Sequence, residues 1–367
     1  MKPKDYAALV GAAAKVEMAR RFGRATIPYK LEFITTFSCQ SRCRTCSIWK
    51  RYIDHPEQQD LELRPEQIIQ TAVSARDHVR WISLTGGEVT DRPDFLDIVQ
   101  GLIDAVGDRL SLFQITTNGI DPEKTAEILP EVIRIAKPIP TYITLSLDGI
   151  GKTYERVRGV PDGYRKVKES MAILKEIERK EKHLTTGYQI TLSELNVHEA
   201  EELWEDASFD HERPIVTMAT DALTLTGGKA DIDVRRAGIE VEEALSKFWK
   251  RYPRGAVNDL PPAMHLGLTQ RYFKTGRAPV PCAAGHATVT IDPYGGVLQC
   301  DSRATALARL QDYDFDLVAL CKSDEFRQAL EPLSGCRECW TPCQAYPSIL
   351  HNPVASTLEY AKAKMGL

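Results

Sequence analysis

The sequence predicts an α/β protein built as a partial (β/α)6 TIM-like barrel, followed by a small cysteine-rich C-terminal domain. Three observations lead there. Six strand-like segments alternate strictly with helical patterns, which implies a parallel sheet with right-handed crossovers. Those strands carry polar residues in a single register. The nine cysteines of the 367-residue chain fall almost entirely into two groups, near its two ends.

The strands are expected at Tyr29–Phe37, Trp81–Thr85, Leu112–Thr117, Tyr142–Leu147, Gly187–Leu192 and Pro214–Ala219. Helices are expected between them at 64–79, 93–107, 122–136, 164–181 and 197–207, where apolar residues such as Ile68, Ala72 and Ala75 recur at helical spacing. Pro65 and Pro93 suit first-turn positions, where a missing N–H costs nothing.

Fully buried parallel strands read as continuous apolar runs. Here they alternate: Gln114, Thr116 and Asn118 oppose Phe113 and Ile115, and Thr144, Ser146 and Asp148 oppose Ile143, Leu145 and Leu147. Ser83 and Thr85 oppose Ile82 and Leu84, and Gln189, Thr191 and Ser193 oppose Tyr188, Ile190 and Leu192. One face packed on helices and one facing a wet interior describes an incompletely closed barrel. A flat sheet with an exposed face is the alternative.

Five stretches follow from this pattern: an N-terminal helical segment (1–28), the barrel (29–225), a helical linker (226–280), the cysteine-rich domain (281–350) and a tail helix (351–367). In the linker, the loop Thr226–Lys229 precedes helices at Val234–Tyr252 and Met264–Lys274, separated by the proline-rich Pro253–Pro262. Ala287–Ile291, a turn at Asp292–Gly296 and Val297–Leu298 read as a β-hairpin, with a helix at 316–330 beyond it.

Composition narrows the function classes. At 43% hydrophobic and 27% charged, the chain has a globular composition, and a net charge of −4 argues against a large nucleic-acid footprint. No apolar run approaches the roughly 18 residues of a spanning helix. Asp5, Glu17, Arg20 and Arg21 break the apolar core that a signal peptide needs. The expectation is a cytoplasmic protein with neither membrane span nor nucleic-acid partner. Two thiol clusters in such a chain point to metal rather than disulfides.

Cys39, Cys43 and Cys46 follow the first strand with Cys-x3-Cys-x2-Cys spacing. Three thiolates on one loop can hold three corners of a [4Fe–4S] cube and leave one iron open, by the logic that separates catalytic from structural zinc. A zinc site completed by a distant residue is the alternative. The carboxyl end of a strand is where parallel α/β folds place their chemistry.

This spacing resembles the signature of radical SAM enzymes. Thr85-Gly86-Gly87-Glu88 is similar to that family's Gly-Gly-Glu motif, which holds the amino group of S-adenosylmethionine. Thr116-Thr117-Asn118-Gly119 resembles the end of its third strand, and Ser146-Leu147-Asp148-Gly149 followed by Arg156-Val157-Arg158-Gly159 resembles its strand-four segment and the loop beyond it, which contact the ribose and carboxylate. The resemblance implies cofactor contacts at Gly86, Gly87, Glu88, Asn118, Ser146, Asp148 and Arg158. It implies reductive cleavage of S-adenosylmethionine to a 5′-deoxyadenosyl radical, and abstraction of a substrate hydrogen atom. The sequence departs from the family at Thr45, where an aromatic residue helps to seat adenine; Trp49 stands three residues past the cluster.

Cys282, Cys300, Cys336, Cys339 and Cys343 resemble an auxiliary-cluster domain of the SPASM or shortened twitch type, with Gly295 to Cys300 as its Gly-x4-Cys hairpin. Five thiols imply one fully ligated auxiliary [4Fe–4S] cluster and one spare; structural zinc is the alternative. Cys321 reads as a buried small hydrophobe. The eight histidines show no paired spacing and receive no role.

The resemblance further implies an electron donor such as flavodoxin or ferredoxin, and a small-molecule or peptide substrate. About 28 residues precede the first strand, too few for a built-in leader-binding domain, which favours neither substrate class. An auxiliary cluster suits net oxidation; a redox-neutral epimerisation or bond formation is the alternative. Oxidation needs a base, and Gln114, Asn118, Tyr188 and Asp221 are expected at strand ends or on the inner wall; Asp221 is their only carboxylate. A non-catalytic iron–sulfur electron carrier and a zinc-stabilised binding protein are the readings from other classes.

Overall fold

The computed structural model describes residues 2–210, 214–219, 237–252, 260–300 and 303–365. Its strands are β1 (Lys30–Ile34), β2 (Trp81–Thr85), β3 (Leu112–Thr117), β4 (Thr141–Ser146), β5 (Leu184–Leu192), β6 (Ile215–Met218), β7 (Thr288–Ile291), β8 (Gly296–Cys300) and β9 (Arg303–Arg309). They form one sheet in the order β6-β5-β4-β3-β2-β1-β7-β8-β9. Strands β1 to β6 pair in parallel throughout, as the β–α alternation requires. Among the described residues the sheet ends at β6 and β9, so the barrel is partial, as expected.

The register explains the alternation in the sequence. Leu31, Phe33, Ile82, Leu84, Phe113, Ile115, Ile143, Leu145, Ile190 and Leu192 are buried in one apolar core with the helices. Each such side chain contributes about 1.5–3 kcal/mol when removed from water. The opposite face lines a cavity of about 720 Å³, bounded by Glu32, Ser83, Gln114, Thr116, Tyr142 and Gln189 among others. Glu32, Ser83, Gln114 and Tyr142 stand in register across four strands. Tyr188 corrects one expectation. Neighbouring positions on a strand face opposite ways, and Tyr188 is fully buried in the helix-facing core, while Gln189 beside it lines the cavity.

Local chemistry sets the helix boundaries. Pro65 opens the helix Pro65–Ser74, and Pro122 opens Pro122–Ile135, whose cap Asp121 accepts from the Lys124 amide at 3.0 Å. Pro93 stands ahead of its helix, which runs Phe95–Val106 and buries Phe95, Ile98, Val99, Leu102 and Val106 on one face. The helix expected at 316–330 is two, Leu317–Lys322 and Asp324–Leu330, because the Ser323 hydroxyl accepts from the Phe326 amide at 3.2 Å and starts a new one. The stretch after β4, read as a loop, contains the helix Gly151–Arg158.

The hairpin β7–β8 does not stand apart: β7 pairs in parallel with β1, so the barrel sheet continues into the cysteine-rich segment. Strand β9, absent from the sequence reading, completes this extension; its sequence RATALAR offers small and charged residues rather than β-branched ones. The N-terminal helix Pro3–Arg21 packs Leu9, Ala13 and Val16 against Tyr29, Trp81, Ala283, Ala287 and Leu350, joining both ends of the chain. Cys321 is buried in the main core. Asp221 and the Thr226–Lys229 loop lie outside the described residues.

His265 is buried on the helix Leu260–Thr275, its ring stacked on Tyr346 and Trp340. Burial pushes its pKa down to about 3. The unfolded chain takes up this proton near pH 6.5 and the folded protein does not. The neutral ring therefore contributes its full stability above that pH, and loses it as pH falls toward 3. His265→Phe is expected to flatten the stability profile below pH 6.5 by about 1.4 kcal/mol per pH unit, read by denaturant unfolding at pH 7, 6 and 5.

Candidate functional site

The cysteine loop is fixed on both sides by backbone contacts. Past β1, the Thr35 amide donates to Thr85, the Gly87 amide to Thr36 at 2.8 Å, and the Glu88 amide to Ser38 at 2.7 Å. This lays the turn after β2 against the chain entering Cys39. A Cβ at Gly87 would stand 2.0 Å from the Ser38 carbonyl oxygen, and one at Gly86 2.5 Å from that of Thr36. On the other side, the Arg42 and Arg44 amides each donate at 2.9 Å, to Arg158 and Val157. Those are last-turn carbonyls of the helix Gly151–Arg158, so the loop caps it. Gly159 ends the helix at φ +66°, and a Cβ there would meet the Arg42 carbonyl oxygen at 2.5 Å. Trp49 donates its indole N–H to Cys46 at 2.9 Å, so it braces the loop.

Glu88 is fully buried at the second strand end. Its Oε1 accepts from the Thr90 hydroxyl at 2.8 Å, the Thr117 hydroxyl at 2.7 Å and the Thr90 amide at 3.2 Å, and its Oε2 accepts from the Asn118 amide at 2.7 Å. Burial raises its pKa, and these donors oppose the rise. Glu88 thus ties two strand ends together and keeps acceptor capacity mainly at Oε2. The Asn118 side-chain amide reaches Gln40 Oε1 at 3.1 Å and lies 3.9 Å from Cys39 Sγ.

Arg158 and Asp148 pair at 2.9 Å, and the second Asp148 oxygen accepts from the Thr191 amide at 2.8 Å. Arg158 lies within electrostatic reach of Cys43 and Cys39, and its Nε is buried with no hydrogen-bond partner. Ser146 ends β4 in register with Gln189 of β5. Burial pushes the Cys39 and Cys46 thiols up to about 12, so metal binding there must displace protons.

The structure therefore brings Cys39, Cys43, Cys46, Gly86, Gly87, Glu88, Asn118, Asp148 and Arg158 to one end of the sheet. The donor set suits a cluster with an open iron: three thiols on one braced loop, a cationic side chain with a partnerless N–H beside them, and a glycine turn that leaves the approach clear. Among the described residues, no group of three or more Cys, His, Asp or Glu side chains is arranged to hold a metal ion. A cube spaces its thiolates more widely than a single ion does, since each binds a different iron.

In the second group, the Cys282 amide donates to Cys336 at 2.9 Å, and Cys282 lies within electrostatic reach of Cys339, Cys300 and Cys336. Burial pushes its thiol up to about 12. Cys343 borders the barrel cavity, where its carbonyl accepts from Lys30 Nζ at 2.8 Å. Lys30 and Glu32 were missed by the sequence reading. The alternation Lys30-Leu31-Glu32-Phe33, which puts two charges on the inward register, was the available signal. His286 contacts the Thr26 hydroxyl at 3.0 Å and so ties down the N-terminal segment.

Residues 33–207 match the family model described as the Radical SAM superfamily. That superfamily uses a [4Fe–4S] cluster and S-adenosylmethionine. The chain is 29% identical over 195 residues to a probable GTP 3′,8-cyclase of Thermococcus kodakarensis, and spans about half (54%) of that relative's length. Its fold is similar to Streptococcus suis SuiB bound to S-adenosylmethionine, with TM-score 0.56 and 16% identity, covering 84% of this chain and 68% of that one. It is also similar to anSMEcpe with bound AdoMet and the Cp18Cys peptide, with TM-score 0.57 and 13% identity, covering 93% and 100%. No helix among the described residues is long and apolar enough to cross a membrane.

Gly87→Ala is expected to lower stability by about 1–3 kcal/mol, because the new methyl group meets backbone that cannot yield without moving the cysteine loop. Denaturant unfolding of the metal-free protein measures it, with the solvent-facing Gly11→Ala as the control.

Proposed function

We propose that the protein is a radical SAM enzyme that abstracts a hydrogen atom from a substrate held in the barrel cavity, with net oxidation assisted by an auxiliary [4Fe–4S] cluster. The observation that carries this reading is the docking of the three-cysteine loop against the Gly86–Glu88 turn, with Arg158 beside the thiols. When bound, the cluster and S-adenosylmethionine supply a 5′-deoxyadenosyl radical. Cys39, Cys43 and Cys46 would hold the cluster. Glu88 Oε2 receives the cofactor's ammonium group, and the partnerless Arg158 N–H favours its carboxylate. The polar cavity wall suits a small polar metabolite or a peptide side chain. Flavodoxin or ferredoxin is the class of donor that supplies the electron.

The auxiliary cluster is assigned to Cys282, Cys300, Cys336 and Cys339, which leaves Cys343 as the spare thiol. The support is the proximity of those four and the place of Cys343 at the cavity. Four protein ligands leave no iron open, so its role is electron transfer.

Anaerobic reconstitution is expected to load about eight irons per chain. Replacing Cys39, Cys43 and Cys46 together by Ala should remove about half and abolish cleavage of S-adenosylmethionine to 5′-deoxyadenosine under dithionite. Iron that stays near eight in that variant would sink the assignment.

Among the C-terminal thiols, Cys282→Ala and Cys339→Ala should each cost about four irons, and Cys343→Ala none. Iron analysis and the visible spectrum read both; a colourless protein that loads zinc at either group would overturn the cluster there.

A further inference from the structure

Lys30 and Glu32 stand two residues apart on the inward face of β1 and border the cavity, at 1% and 3% exposure. Lys30 Nζ lies 2.7 Å from Glu32 Oε2 and 4.8 Å over the Trp81 ring, and donates to the Cys343 carbonyl at 2.8 Å. The last contact has a cause in the sequence. Cys343 sits in the first turn of the helix Pro342–His351, and its carbonyl would ordinarily accept from the residue four positions on. That residue is Pro347, which has no N–H, and Lys30 supplies the donor from 313 residues away.

The pair thus joins the barrel wall to the segment that carries the second cysteine group. A packing tie alone does not require charge. A buried ion pair pays a large desolvation penalty, and a well-packed apolar pair often holds such a wall as well or better.

We infer that the Lys30–Glu32 pair tunes the reduction potential of the auxiliary cluster from the barrel wall. The inference rests on the proposed cluster at Cys282, Cys300, Cys336 and Cys339. Cys339 is four residues from the carbonyl that holds Lys30, whereas the cysteine loop leaves the opposite end of β1. A charge at Lys30 or Glu32 therefore acts more strongly on the auxiliary cluster than on the first. Intact, the two charges nearly cancel. Removing either leaves the other uncompensated in a low-dielectric wall, and cluster potentials respond to local net charge.

The test is a redox titration, monitored by electron paramagnetic resonance, of reconstituted holoprotein without substrate. Lys30→Met is expected to lower the auxiliary potential, and Glu32→Gln to raise it. The double variant should return close to wild type, and the first cluster should move less in every case. A purely structural tie would lower thermal stability in both single variants and leave the potentials alone. That outcome, with iron content intact, overturns the inference and leaves the proposed function standing. Wild-type protein that loads only about four irons overturns the auxiliary cluster and the inference together. Should Lys30→Met fail to fold, Glu32→Gln, which conserves volume, decides the matter by the sign of its shift.

Discussion

Backbone must meet backbone on both sides of the cysteine loop, and most of the site follows from that. The Gly86–Glu88 turn donates to Thr36 and Ser38 on one side, while Arg42 and Arg44 donate to the end of the helix Gly151–Arg158 on the other. Neither approach leaves room for a Cβ at Gly86, Gly87 or Gly159. The three thiols are therefore held by the ends of β1, β2 and a helix after β4, not by their own short loop. The arrangement also brings the negative end of a helix dipole close to the three thiols. Two loop amides satisfy the carbonyls there, and the Arg158 guanidinium, paired with Asp148, supplies compensating positive charge.

Glu88 shows how one buried carboxylate is oriented by two strand ends. Three donors converge on Oε1 and one on Oε2, from residues that belong to two different strand ends. A ligand at Oε2 would add to an existing network rather than create one, so the carboxylate is oriented before anything binds. The same economy appears at Lys30, which satisfies a carbonyl orphaned by Pro347 and pairs with Glu32 in one position. Both residues are buried polar groups with one partner two positions away and another on a different element of the fold.

The continuous sheet gives the cysteine-rich segment its place. Because β7 adds in parallel beside β1, the hairpin that ends at Cys300 lies next to the strand that leads into the loop carrying Cys39. The N-terminal helix and the helix Pro342–His351 then pack together near the amino end of β1, with Glu17 Oε2 2.8 Å from His351 Nε2. The two thiol groups are thereby set on one scaffold at different ends of the barrel wall.

By itself the sequence determined whatever depends on local spacing. Alternation of polar and apolar residues in Leu112–Thr117 and its neighbours follows from the period of two along a strand, so the parallel barrel and its polar interior were legible. So were the three cysteines after the first strand and the glycine pair after the second, since each sits within one short loop. Tertiary structure decided what depends on partners far along the chain. The helical course of 151–158 is hidden in a sequence of low hydrophobicity, because its end is stabilised by amides of the cysteine loop. The inward register of Lys30 and Glu32 was written in β1, but their value could not be read until Cys343 and Trp81 were brought to them. Which thiols of the second group stand together is likewise a matter of how the hairpin and the last helices fold back on β1. Hydrogen bonds and charges act over a few ångströms of space, and only the closed fold sets those distances between residues hundreds of positions apart.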